Sequence, residues 1–241
     1  MEYKKNKIVD SSKKKIIKKL FNDVSKRYDL MNDVMSLGFH RVWKKSLVNS
    51  IKNEKADIIL DLAGGTGDIS NYLAKRFIDS SIYLYDISFE MISNGKCFKS
   101  SLHQKNLYYI NGSADQLSFK DNSIDIITLA FGLRNFAELE KCILECRRVL
   151  KFGKKIYVLE FSPSVNQFVS PLYESYSAKL IPFIGKWVAN NKDAYKYLVD
   201  SIKSFPHNLE LMNIFTKNGF FCYNRKKYFG GIAYLNIFTK I

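Results

Sequence analysis

An apolar strand that runs directly into a glycine-rich loop constrains this chain more than any other feature. Residues 57–68 read Asp-Ile-Ile-Leu-Asp-Leu-Ala-Gly-Gly-Thr-Gly-Asp, and a second apolar strand at 81–86 ends in Asp86. Glycines at a strand end let the backbone turn sharply and approach a ligand closely. A carboxylate that ends the next strand can accept hydrogen bonds from the hydroxyls of a ribose. The pattern favours a ligand-binding α/β sheet over an ordinary glycine turn between a strand and a helix.

The charges around the loop indicate what kind of ribose-containing ligand it holds. The loop lacks the G-x-G-x-x-G pattern of dinucleotide-binding sheets, because Gly67 is followed by Asp-Ile-Ser. Carboxylates at Asp61 and Asp68 would repel a diphosphate and attract a cation. S-adenosylmethionine carries a sulfonium and an α-ammonium, so we expect this cofactor rather than NAD. The contacts assigned to it from this pattern are Asp61, Gly64, Gly65, Gly67 and Asp86.

The net charge of +15 over 241 residues has two interpretations. It could attract nucleic acid or an anionic membrane face. It could also reflect compositional bias, since Lys, Asn, Ile, Tyr and Phe are all frequent. We favour the second interpretation, because the lysines are spread along the whole chain. The densest run, at 13–19, is predicted to be helical and is typical of a solvated helix face.

Neither a metal site nor a membrane span is expected. The four cysteines form no C-x-x-C pair, and the three histidines lie far from them in sequence. Free thiols in a reducing compartment are the simplest interpretation. No apolar run reaches the roughly eighteen residues that a transmembrane helix needs. The N-terminal segment lacks a secretory apolar region, and Glu2 and Asp10 disfavour an organelle-targeting peptide.

Strand and helix patterns alternate between about 57 and 160, which predicts a mostly parallel sheet in a single domain of residues 1–241. The predicted strands are 57–62, 81–86, 106–110, 124–129 and 154–160, with two closing strands between 220 and 241 around Gly230-Gly231. The predicted helices are 67–77, 88–99 and 137–150. A helical segment at 13–52 precedes the sheet, and an aromatic-rich insertion at 163–205 follows the fifth strand.

Ligands of an open α/β sheet bind beyond the carboxyl ends of its strands. The third strand is followed by the polar loop Asn111-Gly-Ser-Ala-Asp115, where Ser113 and Asp115 are placed to meet an adenine edge. The fourth is followed by Ala130-Phe-Gly-Leu-Arg-Asn135. We expect Arg134 and Asn135 to lie where a transferred group meets its acceptor.

Taken in order, these segments resemble the ubiquinone/menaquinone biosynthesis C-methyltransferases. The resemblance extends over nearly the whole chain, and the glycine loop alone would indicate only the broader class of S-adenosylmethionine enzymes. Its more specific carriers are Tyr28-Asp-Leu-Met-Asn-Asp-Val-Met-Ser36, His40-Arg-Val-Trp-Lys44 and Phe131-Gly-Leu-Arg-Asn135. Further matches are Leu159-Glu-Phe-Ser162, Ile181-Pro182, Tyr195-x-Tyr197-Leu198 and Gly230-Gly231-Ile232-Ala233.

The resemblance implies a Rossmann-like class I methyltransferase fold, with a seven-stranded, mostly parallel sheet whose last strand is antiparallel. It also implies N-terminal helices over 13–52 and a helical substrate cover over 163–205. Motif matching adds cofactor contacts at Thr66, Ser113, Ala114 and Ala130. Two positions depart from the family pattern. Ser113 stands where asparagine is common, and Phe152-Gly-Lys154 replaces a Pro-Gly-Gly turn.

The implied reaction is S-adenosylmethionine-dependent methylation of a carbon in a polyprenylated benzoquinol or in demethylmenaquinol. Arg134 cannot be a direct base, because an arginine guanidinium stays protonated in proteins. We predict that it stabilises the developing phenolate or polarises a water that takes the proton, while Asn135 holds the neighbouring oxygen. The predicted substrate contacts are Tyr28, Tyr173 and Tyr176. His40 lies in a matching motif, but we interpret it as structural.

The resemblance further implies a cytoplasmic enzyme peripheral to the inner membrane, on the matrix side if the source is eukaryotic. A homodimer and a quinone-synthesis complex are the protein partners it suggests, and no nucleic acid is expected. Three alternatives stay open: a small-molecule O- or N-methyltransferase, an RNA methyltransferase, and a non-enzymatic scaffold. The segment after the fourth strand reads Ala130-Phe-Gly-Leu-Arg-Asn135. It contains neither the Pro-Pro pair of nucleic-acid amino-methyltransferases nor the cysteine of RNA carbon methyltransferases, which disfavours the second alternative.

Overall fold

A computed structural model describes residues 22, 33, 36, 38–52, 54–98, 104–163 and 192–241. Its centre is one seven-stranded sheet with the order β3-β2-β1-β4-β5-β7-β6. The strands are β1 Ile58–Leu62, β2 Ser81–Asp86, β3 Leu107–Asn111, β4 Ile124–Ala130, β5 Leu150–Phe161, β6 Phe220–Tyr228 and β7 Ala233–Lys240. Strands β1 to β5 are parallel to one another, and β7 runs antiparallel to both β5 and β6. The predicted α/β fold with an antiparallel last strand is confirmed.

Six helices are described around this sheet. They are α1 Phe39–Ser50, α2 Asp68–Arg76, α3 Phe89–Phe98, α4 Leu139–Val149, α5 Lys192–Lys203 and α6 Asn208–Lys217. Short 3-10 turns at Leu133–Asn135 and Phe229–Gly231 follow β4 and β6. The Ser88 hydroxyl accepts a hydrogen bond from the Met91 amide at 3.2 Å and so caps α3. Of the predicted cover at 163–205, only residue 163 and the part from 192 onward are described, and that part is helical up to 203.

The predicted strands, and the predicted helices between 67 and 150, agree with the observed ones to within one or two residues, with one exception. Strand β5 begins at Leu150, four residues earlier than predicted, because Phe152 and Gly153 continue the strand instead of forming a separate turn. Gly153 adopts a φ of +71°, and the pairing of β4 with β5 shifts register between Ile124 and Ile126. Of the predicted helical segment at 13–52, the continuous description begins at residue 38, and Phe39–Ser50 is helical. Helix α6 was not predicted.

Neighbouring residues of the central strands pack on opposite faces of the sheet. Ile59 and Ile126 belong to a core with Trp43 and Leu47 of α1, whereas their neighbours Leu60 and Ile127 belong to a second core. Both faces are apolar because helices cover both, as parallel sheets require. Burying one such side chain contributes about 1.5–3 kcal/mol, so the two cores hold the strand ends in fixed positions.

Close packing of glycines positions the loop after β1. A Cβ atom on Gly95, in the middle of α3, would lie 2.5 Å from the backbone oxygen of Thr66. A Cβ on Gly132, after β4, would lie 2.6 Å from the Ala63 side chain. Side chains of any size are therefore excluded on two sides of the loop, where α3 and the β4 end approach its backbone.

We expect Gly95→Ala to destabilise the protein, although alanine is the better helix former by about 1 kcal/mol. The new methyl would meet backbone that cannot swing aside, and such overpacking costs about 1–3 kcal/mol. Gly153→Ala is the comparison, because nothing lies within 4 Å of a Cβ there and only the positive φ is strained. Urea unfolding measures both. A Gly95→Ala variant more stable than wild type would show that the Thr66 backbone moves enough to accommodate the methyl group.

Candidate active site

Two adjoining cavities lie at the carboxyl ends of the parallel strands, on either side of the glycine loop. The larger has a volume of about 750 Å³ and the smaller about 330 Å³. Ala63 and Gly65 line both, so the cavities meet at the loop. Ala63 has a φ of +54° and Phe131, at the end of β4, a φ of +57°. Residues other than glycine are strained at such positive φ values, and strained residues are common at functional sites.

Most of the predicted cofactor residues line these cavities. Gly65, Asp86, Ser113 and Ala114 line the larger cavity. Asp61, Gly64, Gly65, Thr66 and Ala130 line the smaller one. Gly67 lines neither and instead precedes α2 with a φ of +82°, where its missing side chain makes room for Leu84. The loop and the four strand ends are thus brought together, as the sequence predicts.

Two backbone amides hold the Asp86 carboxylate in the wall of the larger cavity. Its Oδ2 accepts a hydrogen bond from the Gly65 amide and its Oδ1 one from the Ser88 amide, both at 2.8 Å. Each carboxylate oxygen keeps a second acceptor position for a hydroxyl. Burial raises the pKa of Asp86, while these backbone donors act in the opposite direction. A Cβ on Gly112, which also lines this cavity, would lie 2.1 Å from the Tyr85 hydroxyl oxygen. These residues fit a nucleoside.

The polar loop after β3 is arranged around Asp115. Its carboxylate accepts a hydrogen bond from the Ser113 hydroxyl and pairs with Lys141 of α4 at 3.2 Å. Ser113 and Asp115 therefore lie together on the wall of the larger cavity, where we predicted the adenine edge. Met91, Phe136 and further apolar residues complete that wall, and the sequence offered no signal for them beyond their hydrophobicity.

Asp61 is held as a buried carboxylate behind the loop. Only 1% of it is exposed, and its oxygens accept hydrogen bonds from the hydroxyls of Ser70 and of Thr128, the latter at 2.9 Å. Burial raises its pKa to about 6, and the two hydroxyls and the charge of Lys44 oppose that shift. Near neutral pH Asp61 presents a negative charge to the smaller cavity.

Asp68 does not stand alone as an acid beside the loop. Its Oδ2 accepts a hydrogen bond from the Lys44 ammonium at 2.8 Å, and both residues line the smaller cavity. Sequence analysis missed Lys44, because it lies on α1, outside the sheet, and 24 positions from Asp68. Only its place four residues after His40, on one face of a helix, hinted at a common environment.

Arg134 is anchored inside the protein. Its guanidinium donates to Glu160 Oε1 at 2.8 Å and to the Phe131 carbonyl at 2.5 Å, and its amide donates to Glu160 Oε2 at 3.2 Å. Its side chain is 1% exposed and lines neither cavity. These contacts cross-link the ends of β4 and β5 and fix the strained Phe131 turn. The predicted contact of Arg134 with a phenolate remains a prediction.

Asn135, in contrast, lines the larger cavity. Its Oδ1 accepts a hydrogen bond from the Tyr197 hydroxyl of α5 at 3.1 Å, and its Nδ2 lies 3.4 Å from the Phe131 carbonyl. Burial raises the pKa of Tyr197, so its phenol stays protonated and donates at neutral pH. Sequence reasoning gave Tyr197 no role. The predicted substrate residues Tyr28, Tyr173 and Tyr176 lie outside the described residues.

Two negative findings apply to the described part of the chain. Within the ranges given above, no three His, Cys, Asp or Glu side chains come together in a way that could hold a metal ion. No helix among those same residues is long and apolar enough to cross a membrane.

We expect Arg134→Met to lower the free energy of unfolding by about 3–5 kcal/mol, because it leaves Glu160 as an unpaired buried charge. Adding Glu160→Gln should restore part of that loss. Arg41→Ala is the control, since the Arg41–Asp33 pair is exposed and should be worth about 1 kcal/mol or less. Urea unfolding measures all three, and a loss under 1 kcal/mol for Arg134→Met would contradict the anchoring role.

We expect the free energy of unfolding of wild type to fall relative to that of Asp61→Asn as pH rises from 4 to 6. Because the folded pKa is raised from 3.8 to about 6, the unfolded chain loses this proton first, and wild type loses stability across that interval. The change is about 3 kcal/mol at 1.36 kcal/mol per pKa unit and levels off above pH 6. Urea unfolding between pH 4 and pH 7.5 measures it. A difference independent of pH would mean that Asp61 has an ordinary pKa.

Comparison with known structures supports the fold. A SAM-dependent methyltransferase from Aquifex aeolicus superposes with a TM-score of 0.62 at 14% identity, covering 88% of this chain and 98% of its own. The [4+2]-cyclase SpnF superposes with a TM-score of 0.64 at 12% identity, covering 83% and 80%. At such identities the likeness concerns the fold alone, and the cyclase shows that this fold serves more than one reaction.

Comparison of sequences is more specific. The sequence profile of the ubiE/COQ5 methyltransferase family matches residues 8–240. A relative in Stenotrophomonas maltophilia (strain R551-3), named ubiquinone/menaquinone biosynthesis C-methyltransferase UbiE, is 39% identical over 231 residues, covering 94% of this chain and 90% of its own. The protein of that name in Rickettsia prowazekii (strain Madrid E) is 40% identical over 239 residues, covering 97% and 96%. The chain therefore belongs to the ubiE/COQ5 methyltransferase family and is an S-adenosylmethionine-dependent C-methyltransferase.

Proposed function

We propose that this chain methylates a ring carbon of a quinol in ubiquinone or menaquinone biosynthesis, the pathway for which its relatives are named. The acceptor would be a polyprenylated benzoquinol, demethylmenaquinol, or both. The observation that carries the proposal is the position of Asn135. Asn135 follows the end of β4 and lines the larger cavity together with Gly65 of the glycine loop and Asp86, which would hold the cofactor.

S-adenosylmethionine, when bound, supplies an electrophilic methyl group. Asp86 and the backbone of the loop would hold its nucleoside, with Ser113 and Ala114 beside the adenine and Thr66 and Ala130 at its other end. An aromatic carbon is a weak nucleophile until a neighbouring hydroxyl loses its proton. The chain must therefore orient the ring, favour the phenolate and exclude water.

Asn135 is the group best placed to orient a quinol oxygen. Its amide is held by the Tyr197 hydroxyl on one side and lies against the Phe131 carbonyl on the other. Locked side chains are what a site needs to hold an acceptor in a productive position. Apolar residues of the same cavity, Leu62, Phe131 and Phe136 among them, would exclude water from the reacting atoms.

Arg134 enters this proposal as a positioning residue. Its guanidinium is bonded to Glu160 and to Phe131, so it fixes the turn that carries Asn135. The positive charge of Arg134 would also favour a phenolate nearby, in agreement with its predicted electrostatic role. The predicted substrate contacts Tyr28, Tyr173 and Tyr176 belong to this proposal as well.

The location and partners are also proposals. An acceptor with a prenyl tail resides in a bilayer, so the enzyme would work as a peripheral protein at the cytoplasmic face of the inner membrane, or on the matrix side in a eukaryote. A homodimer and a quinone-synthesis complex fit that setting, and no nucleic-acid partner is proposed.

We expect Asn135→Ala to lose about 100-fold to 1,000-fold in turnover, the usual cost of removing one preorganised hydrogen-bonding group. Binding of S-adenosylhomocysteine, measured by calorimetry, should stay unchanged. The assay supplies S-adenosylmethionine with a labelled methyl group and follows label into the extracted quinol. Asn224→Ala, at an exposed position of β6, is the control. Label that appears only in O- or N-methylated small molecules would overturn the proposed acceptor.

A further inference from the structure

Lys44 is a buried cation in the wall of the smaller cavity. Its side chain is 9% exposed, and its ammonium pairs with the Asp68 carboxylate, whose side chain is 22% exposed. Lysine is almost never buried in this way unless it is paired. Of the described residues that line the two cavities, Lys44 is the only one with a positive charge. The sequence and the proposed mechanism give this lysine no role.

Packing of α1 fixes the direction in which Lys44 points. The adjacent Trp43 is 3% exposed and packs against the rings of Phe131 and Phe161, whose centroids lie 6.4 Å and 6.2 Å from its own. Trp43 thus fastens α1 to the ends of β4 and β5. The next residue, Lys45, is exposed, so two consecutive lysines differ sharply in their surroundings.

His40 lies one helical turn before Lys44 and is also buried, with 1% exposure. Burial and the charge of Lys44 lower its pKa to about 4. Its Nδ1 lies 2.8 Å from the Ser36 hydroxyl oxygen and 3.7 Å from Asp33, and Arg41 is paired with the same Asp33 carboxylate. His40 is therefore neutral at pH 7, and the charges around the smaller cavity are those of Lys44, Asp61 and Asp68.

The amino-acid end of the methyl donor has the complementary charges. One carbon bears both an α-carboxylate and an α-ammonium. The acids Asp61 and Asp68 suit the ammonium, but they would repel the carboxylate unless a cation stood beside them. Lys44 and Asp68 present one charge of each sign 2.8 Å apart in the same cavity.

We propose that Lys44 binds the α-carboxylate of the methyl donor, while Asp68, together with Asp61, receives its α-ammonium. This inference deepens the proposed function, on which it rests, by naming the group that recognises the amino-acid part of the donor. Residues of α1, outside the sheet, then complete a site that the loop and strand ends leave without a cation. Lys44 contacts the cofactor and acts in binding rather than in the chemical step.

The test compares two ligands by calorimetry. S-adenosylhomocysteine carries the amino-acid end, and 5′-methylthioadenosine lacks both its amino and its carboxyl group. We expect Lys44→Met to weaken S-adenosylhomocysteine about 10-fold to 100-fold, the range for a hydrogen bond to a charged group. Binding of 5′-methylthioadenosine should change by less than about twofold, since it offers Lys44 nothing to bind.

Lys45→Met is the matched control, because it removes the same charge from the adjacent, exposed position and should leave both affinities unchanged. If Lys44→Met weakens both ligands, Lys44→Arg decides, since it keeps a cation at this position. S-adenosylhomocysteine binding by Lys44→Arg at least about fivefold tighter than by Lys44→Met supports the proposal, and binding as weak as that of Lys44→Met overturns it.

Wild-type affinity for S-adenosylhomocysteine in Lys44→Met would also overturn the proposal. A wild-type protein that binds S-adenosylhomocysteine but leaves the quinol unlabelled contradicts the proposed acceptor and leaves the role of Lys44 intact.

Discussion

The absence of side chains around one loop is the constraint on which this structure depends. Helix α3 can lie against the Thr66 backbone only because Gly95 has no Cβ, and the β4 end can approach Ala63 only because Gly132 has none. These contacts bring the ends of four strands to one crevice and hold the loop rigid. A rigid loop orients the Gly65 amide toward Asp86, and that hydrogen bond fixes the carboxylate that we propose holds a ribose.

The buried Arg134–Glu160 pair extends this rigidity to the acceptor side. A buried ion pair is weak evidence of stabilisation, because desolvation of both charges offsets much of their attraction. The main effect of this pair is to fix the conformation of the turn after β4. Three hydrogen bonds join Arg134 to Glu160 and Phe131, and they hold a left-handed phenylalanine that would otherwise relax. Asn135, the next residue, then projects from a fixed turn into the cavity.

How much could be predicted from the sequence depended on the distance over which residues interact. The strands, the loop and Asp86 follow from local patterns, since apolar runs, glycines and a strand-terminal acid each have a direct physical meaning. Glu160 as the partner of Arg134, and Lys44 as the partner of Asp68, join residues 26 and 24 positions apart on separate elements. No periodicity records such pairings, because packing of the sheet and of α1 creates them. Helix α6 was missed although Leu211 and Phe215, four positions apart, form its buried face.

The partners of the acidic residues explain why the acids around the loop do not destabilise the protein without its cofactor. Each carboxylate interacts with a different set of groups. Hydroxyls donate to Asp61, a lysine pairs with Asp68, and backbone amides donate to Asp86. Asp115 accepts a hydrogen bond from Ser113 and pairs with Lys141. A bare cluster of acids would attract any cation and would repel the carboxylate of the donor. Compensated acids instead favour a ligand that replaces or joins their partners with the correct geometry. The selectivity of this site for a zwitterionic sulfonium donor therefore rests on where Lys44 stands among the acids, and not on a negative field alone.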